Sequence, residues 1–80
     1  MNVKRVESTT LLAIGYDETH EILQLEFRSH AVYRYFGVPC SIYEALVAAS
    51  SKGSYFNGTI RGYFPYALIS GTSSGQGGEA

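Results

Sequence analysis

At Pro39 the periodicity of this chain changes, and that change limits the folds open to it. Upstream, Leu23, Leu25 and Phe27 fall on one side of an extended chain, with Gln24, Glu26 and Arg28 on the other. Downstream, Ile42, Ala45, Leu46 and Ala49 recur at the spacing of one helix face. Strands paired into a sheet, with a helix laid across one face, satisfy both patterns. Alternation also runs through Leu12, Ile14 and Tyr16 against Leu11, Ala13 and Gly15, and through Ala31-Val32-Tyr33-Arg34-Tyr35-Phe36. Asp17-Glu18-Thr19-His20 and Ser29-His30 read as the tight turns between these runs. The expected fold is α+β: an antiparallel β-meander of three or four strands, followed by one packed helix and a short second helix or irregular segment. Val3 and Val6 supply the optional N-terminal edge strand.

Ser41-Ile42-Tyr43-Glu44 fits a capping box, in which the serine oxygen accepts from an early backbone N–H and the glutamate reaches back. The alternative start puts Pro39 in the first turn, where its missing N–H costs nothing. Lys52-Gly53 is a C-terminal signal, so the helix is expected over residues 41–52. Ser54 then caps a second, short helix carrying Phe56, Ile60 and Tyr63 or Phe64. Gly58 and Gly62 each weaken that helix by about 1 kcal/mol relative to alanine. Pro65 ends it, and Tyr66, Leu68 and Ile69 pack back on the body. Leu23, Leu25, Phe27, Ile42, Leu46 and Phe56 are the expected core.

Eighty residues make one domain, here residues 1–70, with 71–80 read as a flexible Gly/Ser-rich tail. The chain has no tryptophan, so four phenylalanines and seven tyrosines supply most of the bulk. A single cysteine, Cys40, rules out an intramolecular disulfide and a multi-cysteine metal site, and fits a cytoplasmic protein. A formal charge of −1 argues against an electropositive, non-specific nucleic-acid binder, for which a pI above about 9 is usual. No apolar run reaches the roughly 20 residues of a membrane span, and none has the length and position of a signal peptide.

Candidate chemistry gathers in two places. Tyr33 and Tyr35 share one strand face, with Arg34 on the other. They form either a stacking platform for bases or, more commonly for such residues, part of a small core with wet hydroxyl tips. In the second case Arg34, beside Val32 and Phe36 on the exposed face, is the better ligand contact. Asn57 and Arg61 are four residues apart, so one helix face can present an amide and a guanidinium to a phosphate or a base edge. The plainer alternative has Asn57 capping a turn and Arg61 paired with a carboxylate such as Glu44 or Asp17. Lys52, a dipole partner at a helix end, joins an anion site if Arg61 is near, and Tyr55 lies close by.

No catalytic residue, metal site or cofactor is expected. Cys40 lacks a flanking nucleophile–base pattern and reads as a small apolar filler. His20 and His30 sit in turns at opposite ends of one strand, and Asp17 and Glu18 face solvent in a turn.

The motifs Ile14-Gly15-Tyr16-Asp17, Leu25-Glu26-Phe27, Tyr33-Arg34-Tyr35, Val38-Pro39, Ile42-Tyr43, Gly53-Ser54-Tyr55-Phe56-Asn57 and Ile60-Arg61 resemble the KTSC domain over residues 8–66. That domain is named for the C-terminus of some lysyl-tRNA synthetases and also occurs as a small stand-alone bacterial protein. The resemblance implies a binding module with no established activity, for which RNA has been suggested through its attachment to a tRNA enzyme. Cys40 matches no required cysteine. Two functional classes stay open. One is a module binding RNA, a nucleotide or another small anion through Tyr33, Arg34, Tyr35, Lys52, Tyr55, Asn57 and Arg61. The other is a protein-interaction or self-assembly module using exposed tyrosines and an unpaired sheet edge.

Overall fold

The structure is a computed structural model and describes residues 1–70. The expected tail, 71–80, lies outside the described residues. Five strands pair antiparallel in chain order: β1 (Asn2–Arg5), β2 (Leu11–Asp17), β3 (Ile22–Phe27), β4 (Val32–Phe36) and β5 (Tyr66–Ser70). Between β4 and β5 the chain forms α1 (Cys40–Ala48), α2 (Lys52–Tyr55) and a π-helical turn (Phe56–Ile60). The fold is α+β, a meander with the expected N-terminal strand present and the segment after Pro65 added as a fifth strand.

Cross-strand register shows which residues share a face. Tyr16, Leu23, Tyr35 and Tyr66 form one row, and Ile14, Leu25, Tyr33 and Leu68 form the next. These rows carry the face covered by the helices. Leu11, Ile14, Leu23, Leu25, Val38, Leu46 and Ile60 are fully buried there, joined by Tyr16, Tyr35 and Phe56. Gly15, Gln24, Arg34 and Ala67 make a row on the other face. Of the expected core, Leu23, Leu25, Leu46 and Phe56 are buried, while Phe27 and Ile42 are half-buried against it.

Turn chemistry follows the sequence closely. In the first hairpin the Asp17 carboxylate accepts from the His20 backbone N–H at 3.3 Å and contacts His20 Nδ1 at 2.9 Å. In the second, His30 takes a left-handed φ of 74°, and its N–H donates to the Phe27 carbonyl at 2.8 Å. Ser8 Oγ accepts from the backbone of both Thr10 and Leu11, at 3.0 and 3.1 Å, and turns β1 into β2.

Several local expectations are corrected. The alternation of β2 breaks between Leu11 and Ala13, where an irregularity leaves Leu12 without a partner on β3 and places Leu11, opposite Phe27, in the core. Helix α1 starts at Cys40 behind Pro39, with no side-chain cap, and Glu44 accepts from Cys40 Sγ at 3.6 Å instead of closing a capping box. It stops at Ala48, not at Lys52: Ala49 is extended, and Ser51 caps α2 by accepting from Ser54 N at 3.4 Å. Ser54 is thus the partner of the cap, not the cap.

Gly53 explains why the stop signal is misread. It opens α2 where the backbone meets Thr10, and a Cβ there would collide with Thr10 Oγ1. Its role is close approach, not a left-handed turn. A left-handed glycine, Gly62 (φ 82°), instead follows the end of the π-helical turn, so Pro65 leads into β5 and does not terminate a helix. Phe36 N donates to the Pro65 carbonyl at 2.9 Å, which fastens that lead-in to β4.

Candidate functional site

The helix-covered face is not covered completely. Between the β3–β4 turn, β4, the start of β5 and the π-helical turn lies a cavity of about 350 Å³, a size suited to a small ligand. Phe27, Tyr33, Tyr35, Phe56 and Tyr66 wall it, and Arg61 stands among them. The rings form a connected set. Tyr66 lies 5.7 Å from Tyr33 and 5.6 Å from Tyr35, and Phe56 meets Phe27 and Tyr35 edge-on at 5.3 and 5.6 Å. These separations are those of mutually attracting aromatic pairs. Tyr35 is buried and Tyr33 half-buried, whereas Tyr66 is 61% exposed and presents an open ring.

The π-helical turn sets Arg61 at the rim. The Arg61 N–H donates to the Phe56 carbonyl at 2.9 Å, five residues back, and its guanidinium donates to Asn57 Oδ1 at 3.4 Å. Neither Glu44 nor Asp17 pairs with it, so the carboxylate alternative is not what forms. Burial first, then Tyr33 and Tyr66, push the Tyr35 hydroxyl up to about 12, and only the Arg61 cation opposes them. Tyr35 is therefore a neutral hydrogen-bonding group at ordinary pH, and Arg61 is the fixed charge.

The seven sequence-derived candidates separate into groups. Tyr33, Tyr35 and Arg61 converge on this cavity, with Asn57 holding Arg61. Arg34 does not: it lies on the opposite sheet face, where its Nε donates to Gln24 Oε1 at 2.9 Å. Tyr55 packs against the core. Lys52 donates to the Ala49 carbonyl at 2.9 Å, at the end of α1, and lines a different concavity. Tyr66 escapes a sequence reading as a site residue because its place depends on β5 pairing with β4, and no local pattern announces that. Phe27 and Phe56 are visible there only as core.

Elsewhere the chemistry is sparse. Among the described residues no group of three or more His, Cys, Asp or Glu side chains is arranged to hold a metal ion. Burial and the nearby Glu44 raise the Cys40 thiol, which keeps it protonated. His30 lies 3.9 Å from Glu26, far from the His20–Asp17 pair in sequence and at the other end of β3. No helix among the described residues is long and apolar enough to cross a membrane.

Comparison with known proteins gives the family. A sequence model of the KTSC domain matches residues 7–64. The chain belongs to the KTSC family. A KTSC domain protein from Yersinia pestis has a crystal structure that superposes with a TM-score of 0.84 at 36% identity, covering 86% of this chain and 97% of that one. A lysine–tRNA ligase from a Nostoc species is 42% identical over 64 residues, which is 80% of this chain and 11% of the ligase. A protein from Tsukamurella paurometabola is 41% identical over 59 residues and is covered to 88%. This KTSC chain thus spans about a tenth of the ligases it matches and most of its small relatives.

Proposed function

We propose that this KTSC domain is a non-catalytic module that binds single-stranded RNA by taking a base against the Tyr66 ring, with Arg61 holding an adjacent phosphate or base edge. The supporting observation is the pairing of a mostly exposed aromatic ring with a guanidinium that has no carboxylate partner among the described residues. Stacking on an aromatic side chain accepts any base, and the cation adds local attraction that a net charge of −1 does not supply globally. The occurrence of similar sequence within lysine–tRNA ligases is consistent with an RNA ligand. A mononucleotide or comparable small anion is the minimal version of the same ligand. On this reading the protein works in a bacterial cytoplasm, where such RNA is found.

The test is fluorescence anisotropy with labelled ribo-oligonucleotides of roughly ten nucleotides, within the site sizes known for single-strand binders. Binding at low salt that weakens as salt rises supports the proposal. A second reading, self-association or capture of a protein strand, rests on β5, an edge strand with Leu68 54% and Ile69 47% exposed. Absence of RNA binding at low salt, together with concentration-dependent association in sedimentation experiments, favours that second reading.

A further inference from the structure

A larger concavity lies on the other flank of the segment that carries Phe56 and Arg61. It occupies about 820 Å³ between the β1–β2 turn, the end of β3 and the opening of α2. Arg5, Arg28 and Lys52 line it, together with the hydroxyl-bearing Ser8 and Ser51 and one carboxylate, Glu7. Half of the chain's six lysines and arginines therefore face one hollow, in a protein with seven acidic residues available to neutralise them. None of the three forms an ion pair among the described residues, where both salt bridges involve histidine. One glutamate against three cations leaves an excess of two positive charges.

Two of the three cations are held in position, not merely gathered. Arg28 Nε donates to the Ser8 carbonyl at 2.9 Å, which fixes the plane of its guanidinium and leaves the terminal NH₂ groups without a partner among the described residues. Lys52 Nζ is tied at 2.9 Å to the Ala49 carbonyl, and two of its three N–H donors remain. Arg5, exposed at the end of β1, makes no side-chain hydrogen bond to a described residue. Fixed donors around a polar hollow suit the oxygens of a phosphodiester.

The two concavities are lined by neighbouring residues of the same segments. Phe27 lines the aromatic cavity and Arg28, the next residue (~3.8 Å along the chain), lines the basic one. Lys52 and Phe56 stand in the same relation, about one helical turn apart in a continuous segment. To reach this hollow from Tyr66 on β5, a bound strand has to cross the aromatic cavity to its Phe27 end, where Arg28 follows. We infer that the cleft between Arg5, Arg28 and Lys52 is a phosphate site that holds the backbone of the strand whose base enters the aromatic cavity. The inference rests on the RNA reading for its ligand, and on the cleft alone for its chemistry.

Two probes separate those supports: a ribo-oligonucleotide, and an abasic sugar–phosphate oligomer of equal length. With the full chain, amide shifts in ¹⁵N–¹H spectra should move at residues 7–9 and 50–53 with either probe, and at Tyr33 and Tyr66 with RNA alone. Arg5→Ala combined with Lys52→Gln should weaken RNA binding about tenfold and flatten the salt dependence, by roughly 0.7 in log–log slope for each phosphate no longer neutralised. Tyr66→Ala should weaken binding without changing that slope. Should the double variant keep wild-type affinity and slope while Tyr66→Ala binds poorly, the cleft is not the backbone site and the aromatic reading survives alone. Abasic oligomer moving the cleft amides while RNA leaves Tyr66 untouched keeps the phosphate site and ends the base-stacking reading. A polyglutamate peptide of equal charge moving the cleft amides equally would overturn the assignment to phosphate, as would silence with both nucleic-acid probes.

Discussion

The Tyr16 hydroxyl donates a 2.6 Å hydrogen bond to the carbonyl of Val38, 22 residues further along the chain. Its ring also stacks on Tyr43 of α1, at 4.7 Å and 7° from parallel. One side chain therefore joins β2, the loop ahead of α1 and α1 itself. Tyr16→Phe keeps the stack but leaves a buried carbonyl without that donor, and should cost about 1–3 kcal/mol. Urea denaturation of the two proteins measures this; equal midpoints would mean that the bond contributes nothing net.

The core should respond sharply at Leu46, the residue of α1 with no exposed surface. Leu46→Ala is expected to cost about 2–5 kcal/mol, a large part of what a domain of this size possesses. A loss below about 1 kcal/mol, read from thermal or urea unfolding, would contradict the packing described for α1.

Gly53 and Thr10 should be coupled. A methyl at Gly53 meets Thr10 Oγ1, with Thr10 Cβ 3.1 Å away, so Gly53→Ala must displace α2 or the β1–β2 turn. The variant should be less stable although alanine is the better helix former. Thr10→Ala in the same chain should recover part of the loss, and a double-mutant cycle reports the coupling. Purely additive effects would show that the clash is relieved some other way.

Stability should fall at alkaline pH. Tyr35 is raised to about 12 in the folded protein, chiefly by burial, against about 10 when unfolded. Between those values the folded state holds a proton that the unfolded state has lost, so stability is complete below pH ~10 and declines as pH rises toward about 12. Burial raises Tyr16 in the same direction. Melting temperatures followed across this range should drop less steeply in Tyr35→Phe; an unchanged slope would remove Tyr35 as a cause.

Binding should discriminate between the two faces of the sheet. Arg61→Ala should weaken RNA affinity by about 1–3 kcal/mol with little change in stability. Tyr66→Ala should lose a similar amount and Tyr66→Phe almost nothing, because the ring does the stacking. Arg34→Ala should be silent, since Arg34 is bound to Gln24 on the far face. Anisotropy titrations of all four variants check the set, and a strong Arg34 effect would relocate the site.

Local patterns carry much of the fold. The period of two in β3 and β4, the turn residues Asp17 and His30, and the helical spacing after Pro39 each act within a few residues, and each is readable from the sequence. What is hidden depends on residues far apart in the chain. The core position of Leu11 comes from a slip in pairing with β3, and the need for glycine at position 53 comes from its approach to Thr10 across the fold. The site divides in the same way. Tyr33, Tyr35 and Arg61 are visible as residue types, but their union with Tyr66, and the separation of Arg34 and Lys52 from them, are products of register and topology.

The meander pairs β1 through β4 across turns of a few residues, whereas β4 and β5 meet only after an excursion through α1, α2 and the π-helical turn. Closing that longer loop costs more chain entropy than any hairpin in the molecule, and non-local pairings form slowly. Strand β5 is also an edge strand with little buried surface to hold it. It should therefore dock late and detach early, with faster amide exchange than the central strands. Because Tyr66 rides on that strand, one wall of the cavity can leave while the rest of the domain stays folded. A ligand that grips Tyr66 would then act as a clasp, and its presence would appear as slowed exchange along β5 before any change in the global melting curve.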